Sequence, residues 1–338
     1  MHPYLIESNL SSENPKISKH FHAYPMKFIP IFKERIWGGN KLKSLGKDIF
    51  ADNIGESWEI STVEGDVSVV GNGIYQGKKL DKLVNTYSED IVGDKSLQHF
   101  GEEFPLLIKF LDAKTDLSIQ LHPNDDLAKK RHHSFGKTEM WYIVDAEPES
   151  RVILGFKEDS SAEEYLQHLQ KKTLPTILQE YPVKNGETYL IETGTIHAIG
   201  GGILLAEIQQ TSDITYRVYD WDRTDKDGNE RELHVDLALE AIDYNKKEPR
   251  LPYEPQKDTS VEVAHTPYFI TNYIELDKEF PVRHNGESFR IYICTEGNFD
   301  IHYSGGMMDI KQGETILIPA KLTNYQLEGR AKILEVYI

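Results

Sequence analysis

The sequence has a single cysteine and no long apolar run. Cys294 stands alone among 338 residues, so no disulfide forms within the chain, as is typical of proteins in a reducing compartment. No stretch of about 18 apolar residues is present to span a bilayer. The first 25 residues also lack the apolar segment of a secretory signal. We therefore expect a cytoplasmic protein with no membrane partner.

Positive charge is also scarce. Acidic side chains outnumber basic ones by 55 to 38, which gives a formal net charge of −17. This field repels polyanions, and no basic stripe interleaved with aromatic residues reverses it locally, so we expect no nucleic-acid partner. A cation inside a pocket is informative in such a chain, because an anionic small molecule needs positive charge where it binds. Lys137 and Arg217 are candidates for this role.

Short strand-like runs make up most of the sequence and predict an all-β dominated fold. Helical periodicity is restricted to residues 80–87, 160–181 and 235–244. In the middle segment, two serines followed by two glutamates predict a helix start with an acidic first turn. Pro175 should divide that segment into two pieces.

The composition changes once along the chain in a way that predicts a domain boundary. Residues 245–258 are rich in proline and charge, as is typical of a linker. We therefore predict an N-terminal extension over residues 1–25 and a first domain over 26–244 that carries the helical insertion. A second domain over 259–338 follows the linker.

Three separated segments predict one metal site. Alternation of apolar and polar residues places Gln120 and His122 on one face of a strand, and the same parity places Lys137 and Glu139 on one face of the next. His197 follows a hairpin that contains a turn. Two imidazoles, a carboxylate and an amide oxygen suit a borderline divalent cation such as zinc, with one position left open for substrate.

An internal repeat links the two predicted domains. Residues 186–192 (Gly-Glu-Thr-Tyr-Leu-Ile-Glu) match residues 313–319 (Gly-Glu-Thr-Ile-Leu-Ile-Pro) without a gap. Continuing the alignment places Asn324 where the first copy has His197. The repeat predicts a duplicated β-barrel whose second copy has kept the shape and lost a ligand.

The first copy also resembles a known motif, the second motif of the cupin double-stranded β-helix, through Gly186, Gly194 and His197. Longer segments are similar to type I mannose-6-phosphate isomerases, specifically to their short bacterial form. In the family's order, they are Arg-Ile-Trp-Gly-Gly from residue 35, Gly-Glu-Ser-Trp-Glu-Ile-Ser from 55, Pro-Leu-Leu-Ile-Lys-Phe-Leu-Asp from 105, Ser-Ile-Gln-Leu-His-Pro from 118, Gly-Lys-Thr-Glu-Met-Trp-Tyr from 136, Gly-Thr-Ile-His-Ala-Ile from 194 and Thr-Ser-Asp-Ile-Thr-Tyr-Arg from 211.

The resemblance implies two cupin-type jelly-roll barrels, of which the first holds zinc and the second does not. It implies zinc ligands at His122, Glu139 and His197, with Gln120 contributing in some members. Arg217 matches the family's active-site arginine. The implied activity interconverts mannose 6-phosphate and fructose 6-phosphate.

The resemblance also implies substrate contacts, but one segment of longer relatives is missing from this chain. Ser118 and Lys137 match positions that contact the substrate phosphate in relatives. After Arg217 the chain reads Val-Tyr-Asp-Trp-Asp-Arg, as in the short bacterial form, and lacks the Gly-Leu-Thr-Pro-Lys continuation of longer relatives. A lysine role attached to that continuation is not carried over.

Aldose–ketose isomerisation moves a proton between C2 and C1 through an enediol, and a cation must meet the charge that builds on oxygen. Arg217 suits this electrostatic role, because its high pKa makes it a poor base. Glu207, Asp213 or a water on the metal remains open as the proton carrier. Two other functions stay open as alternatives, a cupin-type non-haem iron oxygenase and a non-catalytic sugar-phosphate-binding cupin.

Overall fold

Twenty β-strands and five α-helices form the part of the chain that this computed structural model describes, residues 20–224 and 227–338. The fold is strand-rich, as the sequence predicts. Residues 1–19, most of the predicted extension, lie outside the described residues. In the remainder of that extension, Phe21 and Tyr24 are buried and stack on Tyr75. The chain just before residue 26 therefore packs into the protein core.

The strands alternate with short helices along the chain. The strands before the predicted linker are β1 (Met26–Ile29), β2 (Ile31–Gly39), β3 (Ile54–Ile60), β4 (Val69–Val70), β5 (Leu106–Ala113), β6 (Ile119–Leu121), β7 (Glu139–Ala146), β8 (Arg151–Phe156), β9 (Leu178–Pro182), β10 (Thr188–Ile191), β11 (His197–Ile199), β12 (Ile203–Gln210) and β13 (Tyr216–Tyr219). After the linker come β14 (Ser260–His265), β15 (Ile270–Leu276), β16 (Glu279–Arg283), β17 (Arg290–Tyr303), β18 (Gly306–Lys311), β19 (Thr315–Ile318) and β20 (Asn324–Tyr337). The helices are α1 (Leu80–Val92), α2 (Asp94–Phe100), α3 (Asp125–His132), α4 (Ala162–Gln170) and α5 (Val235–Ala241).

These strands form three sheets. A six-stranded sheet has the order β10-β7-β12-β5-β2-β3, and a five-stranded sheet has the order β13-β6-β11-β8-β9. Leu111 and Trp141 of the first sheet share a buried apolar cluster with Leu154 and Ile199 of the second. The third sheet contains the strands after the linker and also β1 and β4. Because β1 pairs with β19, backbone hydrogen bonds connect the two predicted domains.

The six-stranded sheet is buried on both faces, and this decides where its charged residues point. On β5, Leu106, Ile108 and Phe110 belong to the core shared with the third sheet, while Leu111 belongs to the core shared with the five-stranded sheet. Since side chains alternate along a strand, Lys109 faces the same side as Leu111. Lys109 therefore points into the space between the first two sheets.

The predicted helices are present, with one correction. α1 and α5 occupy the segments predicted at 80–87 and 235–244. The segment 160–181 contains α4, whose Ser161 hydroxyl accepts a hydrogen bond from the Glu164 amide, and a short 3₁₀ turn that begins at Leu174. Its end was predicted wrongly, because residues 178–182 form β9, which pairs with β8. The helices α2 and α3 were missed, and both are short. No helix in the described parts of the chain combines the length and the apolar character needed to cross a membrane.

Candidate metal centre and active-site cavity

The strand β6 lies between β11 and β13 and sets the layout of the site. Gln120 is the register partner of His197 on one side and of Arg217 on the other. Directly opposed residues of antiparallel strands project to the same face. Three of the predicted site residues therefore lie side by side across three strands, and His122 follows at the end of β6.

The two imidazoles are held in the same tautomer. The Nδ1 atom of His122 lies 2.7 Å from the Ile214 carbonyl oxygen, and Nδ1 of His197 lies 2.9 Å from that of Thr195. A carbonyl oxygen only accepts hydrogen bonds, so each Nδ1 carries the proton and each Nε2 carries a lone pair. Burial and the nearby Lys137 lower the pKa of His122 to about 4, and burial lowers the pKa of His197 in the same direction. Both rings are therefore neutral at pH 7.

Glu139 lies between the two imidazoles. Its Oε2 atom is 3.5 Å from Nε2 of His122, and its Oε1 atom is 3.5 Å from Nε2 of His197. Burial by itself would raise the pKa of Glu139, but the ammonium of Lys137 and the neighbouring imidazoles outweigh it and hold this pKa well below its usual range. The site therefore presents a fully buried carboxylate anion to two nitrogen lone pairs.

This donor set fits a divalent metal ion. The three ligand atoms of His122, Glu139 and His197 lie within 4.8 Å of one another. The Oε1 atom of Glu139 is buried and accepts no hydrogen bond from any described residue, and an unsatisfied buried acceptor is costly. The nitrogen that it faces has no proton to donate. A cation satisfies all three atoms at once, and two imidazoles with one carboxylate suit a borderline metal such as zinc.

Gln120 faces the site with its amide nitrogen. Its Nε2 atom lies 3.4 Å from Nε2 of His197, and its Oε1 atom lies 3.4 Å from the Ser118 hydroxyl. The predicted ligand atom, the amide oxygen, is therefore turned toward Ser118. A half-turn of the amide about its last side-chain bond exchanges the two atoms.

Lys137 lies within the ligand cluster. Its ammonium donates to Glu139 Oε2, and Nζ lies 3.1 Å from Nε2 of His122 and 3.8 Å from Glu207 Oε1. Burial acts to lower the pKa of Lys137, but the two carboxylates outweigh it and raise this pKa. Lys137 is therefore a permanent cation beside the metal ligands. The contact with the substrate phosphate that the resemblance implies for Lys137 stays a prediction.

A cavity of about 420 Å³ opens beside the cluster. Five of the predicted residues line it, namely Ser118, Gln120, Lys137, His197 and Arg217. His122 and Glu139 lie behind this surface and are almost fully buried. The structure thus brings all seven predicted site residues to one place.

Arg217 is held by neutral partners. Its Nε donates to the Ser118 hydroxyl at 3.3 Å, and its Nη1 donates to the Glu232 carbonyl at 2.9 Å. It forms no salt bridge within residues 20–224 and 227–338, so its charge is available to the cavity. Burial and repulsion by Arg231 lower its pKa, but an arginine remains protonated at every physiological pH.

Comparisons with known proteins agree with this geometry. The sequence model named phosphomannose isomerase type I, catalytic domain, matches residues 26–171, and that of the mannose-6-phosphate isomerase cupin domain matches residues 259–338. Mannose-6-phosphate isomerase ManA of Bacillus subtilis is 35% identical over 321 residues, which cover 92% of this chain and 98% of the relative. The chain belongs to the type I mannose-6-phosphate isomerase family.

Other relatives support this membership. The mannose-6-phosphate isomerase of Streptococcus mutans is 33% identical over 89% of this chain and 94% of its own. A crystal structure of the mannose 6-phosphate isomerase from Bacillus subtilis superimposes with a TM-score of 0.86 at 33% identity and covers 94% of this chain and all of that one. A phosphomannose isomerase from Salmonella typhimurium shares the fold, with a TM-score of 0.77 at 16% identity.

Several charged residues of the cavity were not among the predicted site residues. Lys33, Arg35, Glu56, Lys109 and Arg231 all line it. For Lys109 a signal was present, because a lysine in the middle of an apolar strand is a poor fit to a purely structural role. Arg35 and Glu56 stand in segments that resemble the family, whereas Lys33 and Arg231 carry no such signal.

The two candidate carboxylates differ in their surroundings. Glu207 is buried, with Oε1 3.2 Å from the Lys109 ammonium and Oε2 accepting from the Trp141 indole at 3.0 Å. Asp213 is exposed at the cavity wall and forms no hydrogen bond or salt bridge within the described residues. The two oxygens of Glu207 are therefore committed to structure, while those of Asp213 are free.

Proposed function

We propose that this protein interconverts mannose 6-phosphate and fructose 6-phosphate in the cytoplasm with the help of one zinc ion. The observation that carries the proposal is the convergence of two imidazole lone pairs and an unsatisfied carboxylate oxygen beside a cavity rich in cations. Membership of the mannose-6-phosphate isomerase family supports the choice of substrate and reaction.

In this proposal His122, Glu139 and His197 hold the zinc ion, and Gln120 adds its amide oxygen after the half-turn described above. When bound, the metal supplies a Lewis acid that polarises the sugar carbonyl. Imidazoles that are neutral at pH 7 and a carboxylate that is ionised meet the protonation requirement for metal binding.

The side chains of the cavity then assist the transfer of the proton between C2 and C1. Lys137 places a permanent positive charge next to the metal ligands, where negative charge builds on the substrate oxygens. Arg217 lies two strands from His197 and adds a second fixed cation to the same cavity. We assign the proton transfer itself to Asp213, because its carboxylate has no competing partner, whereas Glu207 is held by Lys109.

The architecture belongs to the same proposal. We infer two cupin-type barrels, a catalytic one over residues 26–244 and a second one over 259–338 that has no metal site, joined by the linker at 245–258. The two facing sheets of the first region, the match of the cupin-domain model to residues 259–338 and the repeated glycine motif support this division. Strand β1 belongs to the first domain by sequence and to the second by pairing.

Removal of the metal tests the proposal. Protein stripped with a chelator should lose the conversion of mannose 6-phosphate to fructose 6-phosphate and regain it when zinc is added back. Isomerisation that is indifferent to chelation would contradict the proposal. Iron-dependent oxygen consumption without isomerisation would favour the oxygenase alternative, which the two histidines and one carboxylate allow and which the cations of the cavity disfavour. Asp213→Asn should reduce kcat by about 100-fold or more at unchanged zinc content, in line with the loss of a proton-transfer group.

A further inference from the structure

The cations that line the cavity fall into two groups. Those of the first group each have a carboxylate partner of their own within the described residues. The pairs are Lys33 with Asp66, Arg35 with Glu56, Lys109 with Glu207 and Lys137 with Glu139. Their charges are partly compensated by these partners, so this part of the wall attracts a phosphate group less strongly than unpaired cations do.

The second group is Arg217 and Arg231, and here the charges do not balance. Arg217 bonds only to neutral atoms, as described above. Arg231 shares a single carboxylate, Asp220, with a third arginine, Arg223. Asp213 lies on the same lining but forms no salt bridge with either arginine in the part of the chain that the structure describes. Two guanidinium groups thus share one buried carboxylate and the guanidinium of Arg217 has no carboxylate partner among the described residues, in a chain whose overall charge is strongly negative.

Arg231 is held in one orientation with part of its guanidinium left free. Its Nε donates to Asp220 Oδ2 at 2.7 Å and its Nη2 donates to Asp220 Oδ1 at 2.6 Å. This side-on grip uses both oxygens of a carboxylate that is 95% buried, since Asp220 is only 5% exposed. Nη1 has no partner within the described residues, and the residue lines the cavity. The guanidinium group of Arg231 is therefore held in an orientation in which it can bind a second anion.

The position of this pair relative to the metal ligands suits a sugar phosphate. Arg217 on β13 and His197 on β11 are separated by β6, so they lie two strand spacings apart, about 10 Å. That separation is comparable to the length of an opened hexose 6-phosphate from its carbonyl carbon to its phosphate. A substrate with its carbonyl end at the imidazoles places its phosphate at the arginines.

We propose that Arg231, with Arg217, forms the subsite that binds the phosphate group of the substrate, and that Asp220 is the positioning residue for Arg231. The inference rests on the proposed isomerase function and adds to it the residue that selects phosphorylated over neutral sugars. Binding energy from the remote phosphate then fixes the reacting carbons at the metal ligands.

The experiment compares two substrates in two variants. Arg231→Gln should lower kcat/KM for mannose 6-phosphate by about 10- to 100-fold, the range for removing a charge-assisted hydrogen-bonding group, and should weaken competitive inhibition by inorganic phosphate to a similar degree. For unphosphorylated mannose, kcat/KM should change by less than about threefold. Arg223→Gln is the matched control, because it removes the same charge from the same carboxylate but does not line the cavity. It should have a clearly smaller effect on both phosphate readouts.

Two further variants guard against a simple folding defect. Arg231→Lys keeps the charge but loses the planar fork, so it should recover part of the lost kcat/KM. Asp220→Asn should raise KM for mannose 6-phosphate more than it lowers kcat, and it should leave the kinetics with mannose unchanged. Equal losses on both sugars in these variants would overturn the assignment, as would unchanged inhibition by inorganic phosphate.

The failure of this inference is distinguishable from failure of the proposed function. If the wild-type protein isomerises mannose 6-phosphate and Arg231→Gln does so equally well, the subsite is wrong and the function stands. If the wild-type protein isomerises no sugar phosphate with any divalent metal, the function is wrong. Calorimetric titration of both proteins with inorganic phosphate then still decides the subsite, since about tenfold weaker binding by the variant supports it and equal binding overturns it.

Discussion

Two buried carboxylates, one in each half of the molecule, show what separates a binding site from a structural network. Glu335 on β20 uses both oxygens, since Oε1 accepts from the Tyr292 hydroxyl at 2.9 Å and Oε2 accepts from Ser260 at 2.8 Å and from Asn272 at 3.1 Å. Glu139 on β7 leaves Oε1 without a hydrogen bond. Glu139 also lies between two imidazole nitrogens that carry lone pairs, and the open oxygen and these nitrogens together indicate a ligand.

The repeated glycine motif shows the same contrast. In the first copy His197 is buried, and its Nε2 atom faces Glu139. In the second copy Asn324 begins β20, is exposed and pairs with Arg283 of the edge strand β16. The backbone is retained in both copies, while the side chain that completes a site is retained in one. The second copy therefore keeps the strand that follows the glycine turn without the imidazole that completes a site.

The sharpest test of this comparison replaces the two equivalent residues by alanine. His197→Ala should lower kcat/KM by at least about 1,000-fold and abolish stoichiometric zinc binding, because the metal contributes several kcal/mol to the transition state. Asn324→Ala should leave both quantities unchanged, since its side chain is exposed. Zinc content and isomerase activity measured on the same preparations decide the matter. Loss of zinc from the asparagine variant would mean that the halves are not independent.

The next largest effect is the loss of stability of the metal-stripped protein at acidic pH. Burial holds the pKa of His122 at about 4 in the folded state, against about 6.5 in the unfolded chain. Between these values the unfolded chain binds a proton that the folded protein does not, so the free energy of unfolding falls by up to about 3 kcal/mol as the pH drops from about 6.5 to 4. Denaturant titrations of wild type and His122→Gln at several pH values measure this change in the free energy of unfolding.

The difference between these two proteins isolates the histidine from all other titrating groups. His122→Gln should lack this fall in the free energy of unfolding, so the stability curves of the two proteins should converge toward pH 4. Parallel curves would show that His122 titrates normally in the folded protein. The same depressed pKa keeps the imidazole neutral at pH 5, so we expect zinc to be retained at a pH where an ordinary histidine would release it.

Features that depend on local sequence patterns were predicted correctly. Alternation on β6 placed Gln120 and His122 on one face, and the strand-rich fold followed from the same period of two. The end of the helical insertion was misjudged because Tyr181 fits both a helix and the strand β9, and pairing with β8 decides the matter. Contacts between residues that are distant in sequence could not be predicted. Arg231 lines the cavity because it donates hydrogen bonds to Asp220, eleven residues earlier. No periodicity of the sequence predicts that contact.

Removing one hydrogen bond to Glu335 in the second half should change stability without changing catalysis. Tyr292→Phe removes a hydroxyl that lies 2.9 Å from Glu335 and 2.8 Å from the Tyr325 hydroxyl. The loss should lower the free energy of unfolding by about 2 kcal/mol, because a buried ionised acceptor loses one donor. Chemical denaturation measures this cost, and kcat/KM should stay within about threefold of wild type. A larger kinetic change would show that the second half acts on the cavity.

The smallest expected effect separates two serines with similar hydrogen bonds, the buried Ser118 and the partly buried Ser260. Ser118 accepts from Nε of Arg217 at 3.3 Å, and Ser260 donates to Glu335. Ser118→Ala leaves the arginine one partner short beside the cavity, so kcat/KM for mannose 6-phosphate should fall by about 3- to 10-fold, the equivalent of one ordinary hydrogen bond. Ser260→Ala should cost about 1 kcal/mol of stability and leave the kinetics unchanged. If the two variants exchanged these outcomes, the assignment of catalysis to one half and of packing to the other would be reversed.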